Sequence, residues 1–117
     1  MTDAIDNVDE VNAKLDALKQ KYARRLADRV EVIDAAWRDL KESGSEDVAE
    51  LIRLAHQMAG SAGMYDQAEL GQMAATLEEK LEAYSKDSSM DAAEIDRLIG
   101  EMAALSLATR AAFNDSP

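Results

Sequence analysis

Residues 8–40 read VDEVNAKLDALKQKYARRLADRVEVIDAAWRDL. Val8, Val11, Leu15, Leu18, Tyr22, Leu26, Val30, Ile33, Trp37 and Leu40 recur there at steps of three and four without losing register. That is the period of an amphipathic helix. Taken as one helix the stretch would be about 50 Å long at 1.5 Å per residue, whereas the later helical segments read as roughly 30 Å. A compact bundle would leave about a third of such a helix without a partner. A break or kink within Lys19–Asp28 is therefore expected, giving an N-terminal helix over residues 1–20 and a bundle over residues 21–117. The alternative is a protruding arm that pairs with another copy.

Outward from this stretch, Ser43-Gly44-Ser45 supplies a glycine suited to a left-handed helix stop and a serine suited to the next cap. A second helix is expected to start near Ser45 and to turn Val48, Leu51, Ala55, Met58 and Ala62 inward. Asp66-Gln67-Ala68-Glu69 has capping-box spacing, with Tyr65 and Leu70 as a hydrophobic staple, so a third helix should begin at Asp66. Its core stripe is Leu70, Met73, Leu77, Leu81 and Tyr84. After the polar linker Ser85–Ser89, Asp91-Ala92-Ala93-Glu94 repeats the pattern with Met90 and Ile95, and the last stripe runs Ile95, Leu98, Met102, Leu105 to Phe113. The only proline is Pro117, so no helix is broken by proline. Four long helices with short connections predict an all-α fold: an antiparallel up-and-down four-helix bundle with an additional N-terminal helix, one domain over residues 1–117.

The composition agrees with this reading. The 117 residues are 47% hydrophobic and 32% charged, with only 4% aromatic, a globular mixture that favours helix over sheet. A net charge of −11 speaks against nucleic acid or an anionic membrane as partner, because both require a basic footprint. Without cysteine there is no disulfide, zinc–thiolate site or thiol catalysis. No apolar run approaches the roughly 20 residues of a membrane span. The acidic start Met1-Thr2-Asp3-Ala4 lacks an apolar signal-peptide core. The chain is expected to be soluble and cytoplasmic, and monomeric rather than dimeric.

His56 is the only histidine. In projection it lies about 135° from the centre of the inward face of the second helix, on the solvent side. A lone histidine is ordinarily an incidental surface residue or a satisfied core one, and the angle already disfavours the core. Its neighbours on that face are Ala49, Ile52, Ala59, Gly60 and Gly63, where a solvated face would carry Glu, Lys, Gln or Arg. Each glycine costs about 1 kcal/mol against alanine in a helix interior. Gly63 can be read as the end of the helix, but Gly60 is harder to explain that way. Small residues around one exposed imidazole let a second protein come close.

The run Leu54-Ala55-His56-Gln57-Met58-Ala59-Gly60-Ser61-Ala62-Gly63 resembles the active-site helix of the histidine-containing phosphotransfer (HPt) family. That family shows a histidine, an apolar residue two later, often lysine three later, then Gly-Ser-Ala or Gly-Ser-Ser. Leu77-Glu78 and Leu81-Glu82 echo the leucine-rich stripe of its following helix, and Tyr22–Leu40 is similar to its long first helix. The likeness covers roughly Tyr22 to Tyr84. The sequence departs from the pattern at Ala59, where lysine is common, and at Asp66, where glycine commonly follows the aromatic. Arg53, about 60° from His56 one turn earlier, is the nearest substitute cation on this helix, and equally reads as a solvated surface arginine.

The resemblance implies that His56 accepts a phosphoryl group from an aspartyl phosphate on a receiver domain, of a response regulator or a hybrid histidine kinase, and passes it to another receiver. An exposed imidazole is largely neutral near neutral pH and therefore nucleophilic. No nucleotide-binding loop or kinase motif is present, so the chain is expected to carry phosphate without ATP-dependent kinase activity of its own. It should need no cofactor of its own, with Mg²⁺ and a lysine supplied by the receiver. The partner surface is expected to centre on His56, Ala49, Ile52, Arg53, Ala59, Gly60, Gly63 and Met64. A hairpin turning near Tyr65 would bring Gln72, Thr76 and Glu79 alongside. The competing reading is a helical adaptor or self-associating module with an incidental histidine, to which the continuous apolar stripe lends support. A metal or haem bundle is disfavoured, since there is no second histidine and no Glu-x-x-His pair.

Overall fold

The computed structural model describes residues 2–45, 47–63, 67–87 and 92–114, with side chains from residue 8 to residue 111 within them. It contains α1 (Thr2–Ser43), α2 (Ala49–Ala62), α3 (Ala68–Lys86) and α4 (Ala92–Asn114), and no strand among the described residues. Consecutive helices pack side by side, α1 on α2, α2 on α3 and α3 on α4, and α4 returns to α1. The result is an all-helical bundle. Among the described residues no helix is long and apolar enough to cross a membrane.

The expected break in Lys19–Asp28 is absent, and α1 is one uninterrupted helix of 42 residues. Nothing in it supplies a breaker: Thr2–Ser43 contains neither glycine nor proline. The expected additional N-terminal helix is therefore not a separate element: the first half of α1 stands out from the bundle as an arm. Leu26, Val30, Ile33, Trp37 and Leu40 are buried in the bundle, whereas Val8, Val11, Leu15 and Leu18 are exposed. The long dimension of the molecule, 65 Å against 23 and 17 Å, is essentially the length of this helix, about 63 Å at 1.5 Å per residue.

Gly44 ends α1 with φ +73°, the left-handed stop expected of it, and its N–H donates to Lys41 O. The second helix starts at Ala49 rather than near Ser45. The Ser45 hydroxyl accepts from the Asp47 N–H, the Asp47 carboxylate from the Ala49 N–H, and Val48 is buried at the turn. Two successive side-chain acceptors hold these residues in a non-helical turn until Val48 is seated. The third helix is described from Ala68. Tyr65 and Asp66, and likewise Met90 and Asp91 before α4, lie outside the described residues, as does the Phe113 side chain.

The inward residues are those that the periodicity selects, with small changes. Val48, Leu51, Ala55, Met58 and Ala62 are all buried. In α3 Ala74 takes the inner position and Met73 is half-buried; in α4 Ile99 joins Ile95, Leu98 and Met102, and Leu105 is half-buried. Trp37 sits edge-on to Tyr84, ring centroids 5.2 Å apart. Its indole N–H donates to Asp96 of α4, which also accepts from the Lys41 ammonium at 2.6 Å. One carboxylate thus satisfies a buried donor of α1 and ties the two helices together.

Candidate functional site

The buried side of α2, set by Leu51, Ala55, Met58 and Ala62, turns His56 outward. Its side chain is 75% exposed. The ring is nevertheless held: Nδ1–H donates to Glu78 of α3, with both carboxylate oxygens at 3.0 Å. Glu78 is largely covered, its side chain 21% exposed, so the anchor is steadier than the group it holds. A carboxylate only accepts, so Nδ1 carries a proton; in the neutral ring the lone pair is then on Nε2.

The surroundings of the ring are low. Ala49 is exposed, Ile52 and Ala59 are half-buried, and Gly60 and Gly63 are exposed. A Cβ on Gly60 or Gly63 would meet nothing within 4 Å, so packing demands glycine at neither position. Nor does backbone geometry require it at Gly63, which follows α2 in the ordinary right-handed conformation. Gly71 of α3 is different. A Cβ there would meet Ala59 O, the Ala62 Cβ and Gly63 N, each at 3.5 Å, ordinary van der Waals contact, so Gly71 lies where α3 packs on the end of α2.

Ser61 points away from this surface. It lines a cavity of about 250 Å³ between α1 and α2 with Tyr22, Arg25, Leu26 and Arg29. Its hydroxyl is buried without a hydrogen-bond partner. Among the described residues no group of three or more His, Asp or Glu side chains is placed to hold a metal ion.

The family model for the Hpt domain matches residues 8–108, nearly the whole chain. The chain belongs to the Hpt domain family. Hpt domains serve phosphotransfer in phosphorelays, where they interact with receiver domains. Comparison with curated proteins and with solved structures gives no significant match.

In this Hpt domain the structure groups His56, Ala49, Ile52, Ala59, Gly60 and Gly63 on one side of α2; Met64 lies outside the described residues. Arg53 is engaged elsewhere. Its Nε donates to Glu50 Oε2 at 2.9 Å and its Nη2 to Glu50 Oε1. That hydrogen bond holds the Glu50 carboxyl below its usual range and raises Arg53. Gln72 and Thr76 are not brought to the ring. They lie about 120° and 160° around α3 from Glu78, and the Thr76 hydroxyl donates to Gln72 O. Glu79, also expected alongside, makes no hydrogen bond to His56, whereas its neighbour Glu78 does. Glu78 and Gly71 are the residues that sequence reasoning missed. They are seven apart, two helical turns, and so share the edge of α3 that faces α2.

Proposed function

We propose that this Hpt domain is a phosphorelay carrier in which His56 reversibly accepts a phosphoryl group from a receiver-domain aspartyl phosphate and hands it to a second receiver. The observation that carries the reading is an exposed imidazole whose Nδ1 is held by Glu78, on a side of α2 where Gly60 and Gly63 leave open space. Nε2 attacks phosphorus in line, a nitrogen–phosphorus bond forms, and the aspartate carboxylate leaves with the electron pair. Positive charge develops on the ring as this happens, and the Glu78 carboxylate faces it. Such transfer depends mainly on positioning and neutralisation of charge. Mg²⁺ and the cation on the phosphoryl oxygens come from the receiver, and Glu78 positions the nucleophile.

The bundle behind the site is read as antiparallel and up-and-down. The end of α1 meets the start of α4 through Trp37, Lys41 and Asp96; the end of α3 meets the start of α4 through Lys80 and Glu94; and the start of α3 meets the end of α2 at Gly71 and Ala62. The protein is placed in the cytoplasm, where it meets response regulators or the receiver of a hybrid kinase.

The test mixes the protein with a phosphorylated receiver domain and follows acid-labile, base-stable label. Wild type is expected to take label, His56→Gln to take none, and ATP alone to label neither. Equal labelling of wild type and His56→Gln, or no labelling of either across a panel of receivers, would refute the reading. Glu78→Gln is expected to keep the acceptor but slow transfer about tenfold, roughly 1.4 kcal/mol in the barrier.

A further inference from the structure

The first half of α1 leaves the bundle. Every side chain from Val8 to Lys19 is exposed, and Ala23 is the first buried one. Val8, Val11, Leu15 and Leu18 are 58%, 54%, 49% and 45% exposed, unusual for large apolar groups on one helix face. They follow one another at steps of three, four and three, and Tyr22 adds a step of four. That is the 3.5-residue seam of a coiled coil. Three successive steps of four from Leu18 to Val30 then separate it from the stripe that enters the bundle.

The charges of the arm identify what fits this seam. The first ten residues hold Asp3, Asp6, Asp9 and Glu10 and no Lys or Arg. Residues 14–29 hold Lys14, Lys19, Lys21, Arg24, Arg25 and Arg29 against Asp16 and Asp28. Six of the 13 Lys and Arg residues of a strongly acidic chain are thus gathered at the base of the arm. A helix with an acidic tip, a basic base and an apolar seam is complementary to itself reversed. A parallel copy would set like charges together within screening distance, about 8–10 Å.

We propose that two copies pair through their arms as an antiparallel two-stranded coiled coil. Val8 and Val11 of one copy pack against Leu18 and Leu15 of the other, and the acidic tip of each arm lies beside the basic base of its partner. This departs from the monomer expected of the sequence and does not depend on the phosphotransfer reading.

Sedimentation equilibrium of the full chain tests it. The mass is expected to rise from 12.8 kDa towards twice that between micromolar and millimolar concentration. Val11→Glu and Leu15→Glu should hold it at the monomer mass with bundle unfolding unchanged, because neither side chain touches the core. Since the chain has no cysteine, orientation is read by mixing the Val8→Cys and Leu18→Cys variants under mild oxidation. Antiparallel pairing joins one variant to the other, whereas parallel pairing joins like to like. A chain that stays monomeric to millimolar concentration, a dimer indifferent to both glutamates, or mainly like-to-like disulfides would each overturn the proposal.

Discussion

Gly60 carries a cost that the fold does not explain. It sits within α2, and the space where its Cβ would stand is open. Gly60→Ala should therefore stabilise the protein by about 0.5–1 kcal/mol in chemical denaturation. If the cleared surface serves receiver docking, the same change slows phosphoryl transfer, and Gly60→Leu slows it more; equal rates in all three would remove the docking role. Ser61, its neighbour, lines the cavity beside Tyr22, Arg25 and Arg29, and no protein group hydrogen-bonds its hydroxyl. Ser61→Ala should raise stability by about 1 kcal/mol and leave transfer unchanged. His56 was legible at this scale, because one helical projection suffices to turn it away from Ala55 and Met58. Glu78 was not, because which residue of α3 faces α2 depends on rotation about α3 as well as on height along it.

At the scale of elements, the α1–α4 contact rests on Asp96. Trp37 is buried and its indole N–H has this carboxylate as acceptor. Asp96→Ala is expected to cost about 1–3 kcal/mol by leaving that donor unsatisfied, and Asp96→Asn, which keeps an acceptor oxygen, should cost less. The Lys41 hydrogen bond, aided by Trp37, holds the Asp96 carboxyl below the usual carboxylate range. A depressed folded-state pKa stabilises the protein above the unfolded value near 3.9, and that contribution is lost as pH falls through the lower folded value. The stability difference between wild type and Asp96→Asn should thus be full at neutral pH and shrink below about pH 4. A difference that grew on acidification would contradict the ion-pair account. Periodicity located all four helices but not the continuity of α1. The expected kink assumed that a helix must end where its partners end, whereas a helix without glycine or proline can continue into solvent on propensity, aided by pairs such as Glu10–Lys14. The start of α2 was misplaced because serine is a good cap in general, but here Ser45 and Asp47 cap a turn.

As a whole molecule, the protein is a bundle on the end of a rod. Its radius of gyration is 17.5 Å, against about 13 Å for a compact chain of this length, and the arm accounts for the excess. Solution scattering at low concentration should return this larger value, whereas a kinked α1 folded back on the bundle would return the smaller one. The same overall plan sets an exposed, oriented imidazole on α2 and keeps the charge-polarised arm apart from it in sequence. On the function proposed above, an acidic carrier would leave metal and activated phosphate to its receiver partner. The most direct measurement of that division is NMR of ¹⁵N-histidine-labelled protein after incubation with a phosphorylated receiver domain. The account predicts a single phosphohistidine, at Nε2 of His56, with Nδ1 still protonated towards Glu78. Phosphate on Nδ1, or on any residue other than His56, would contradict it.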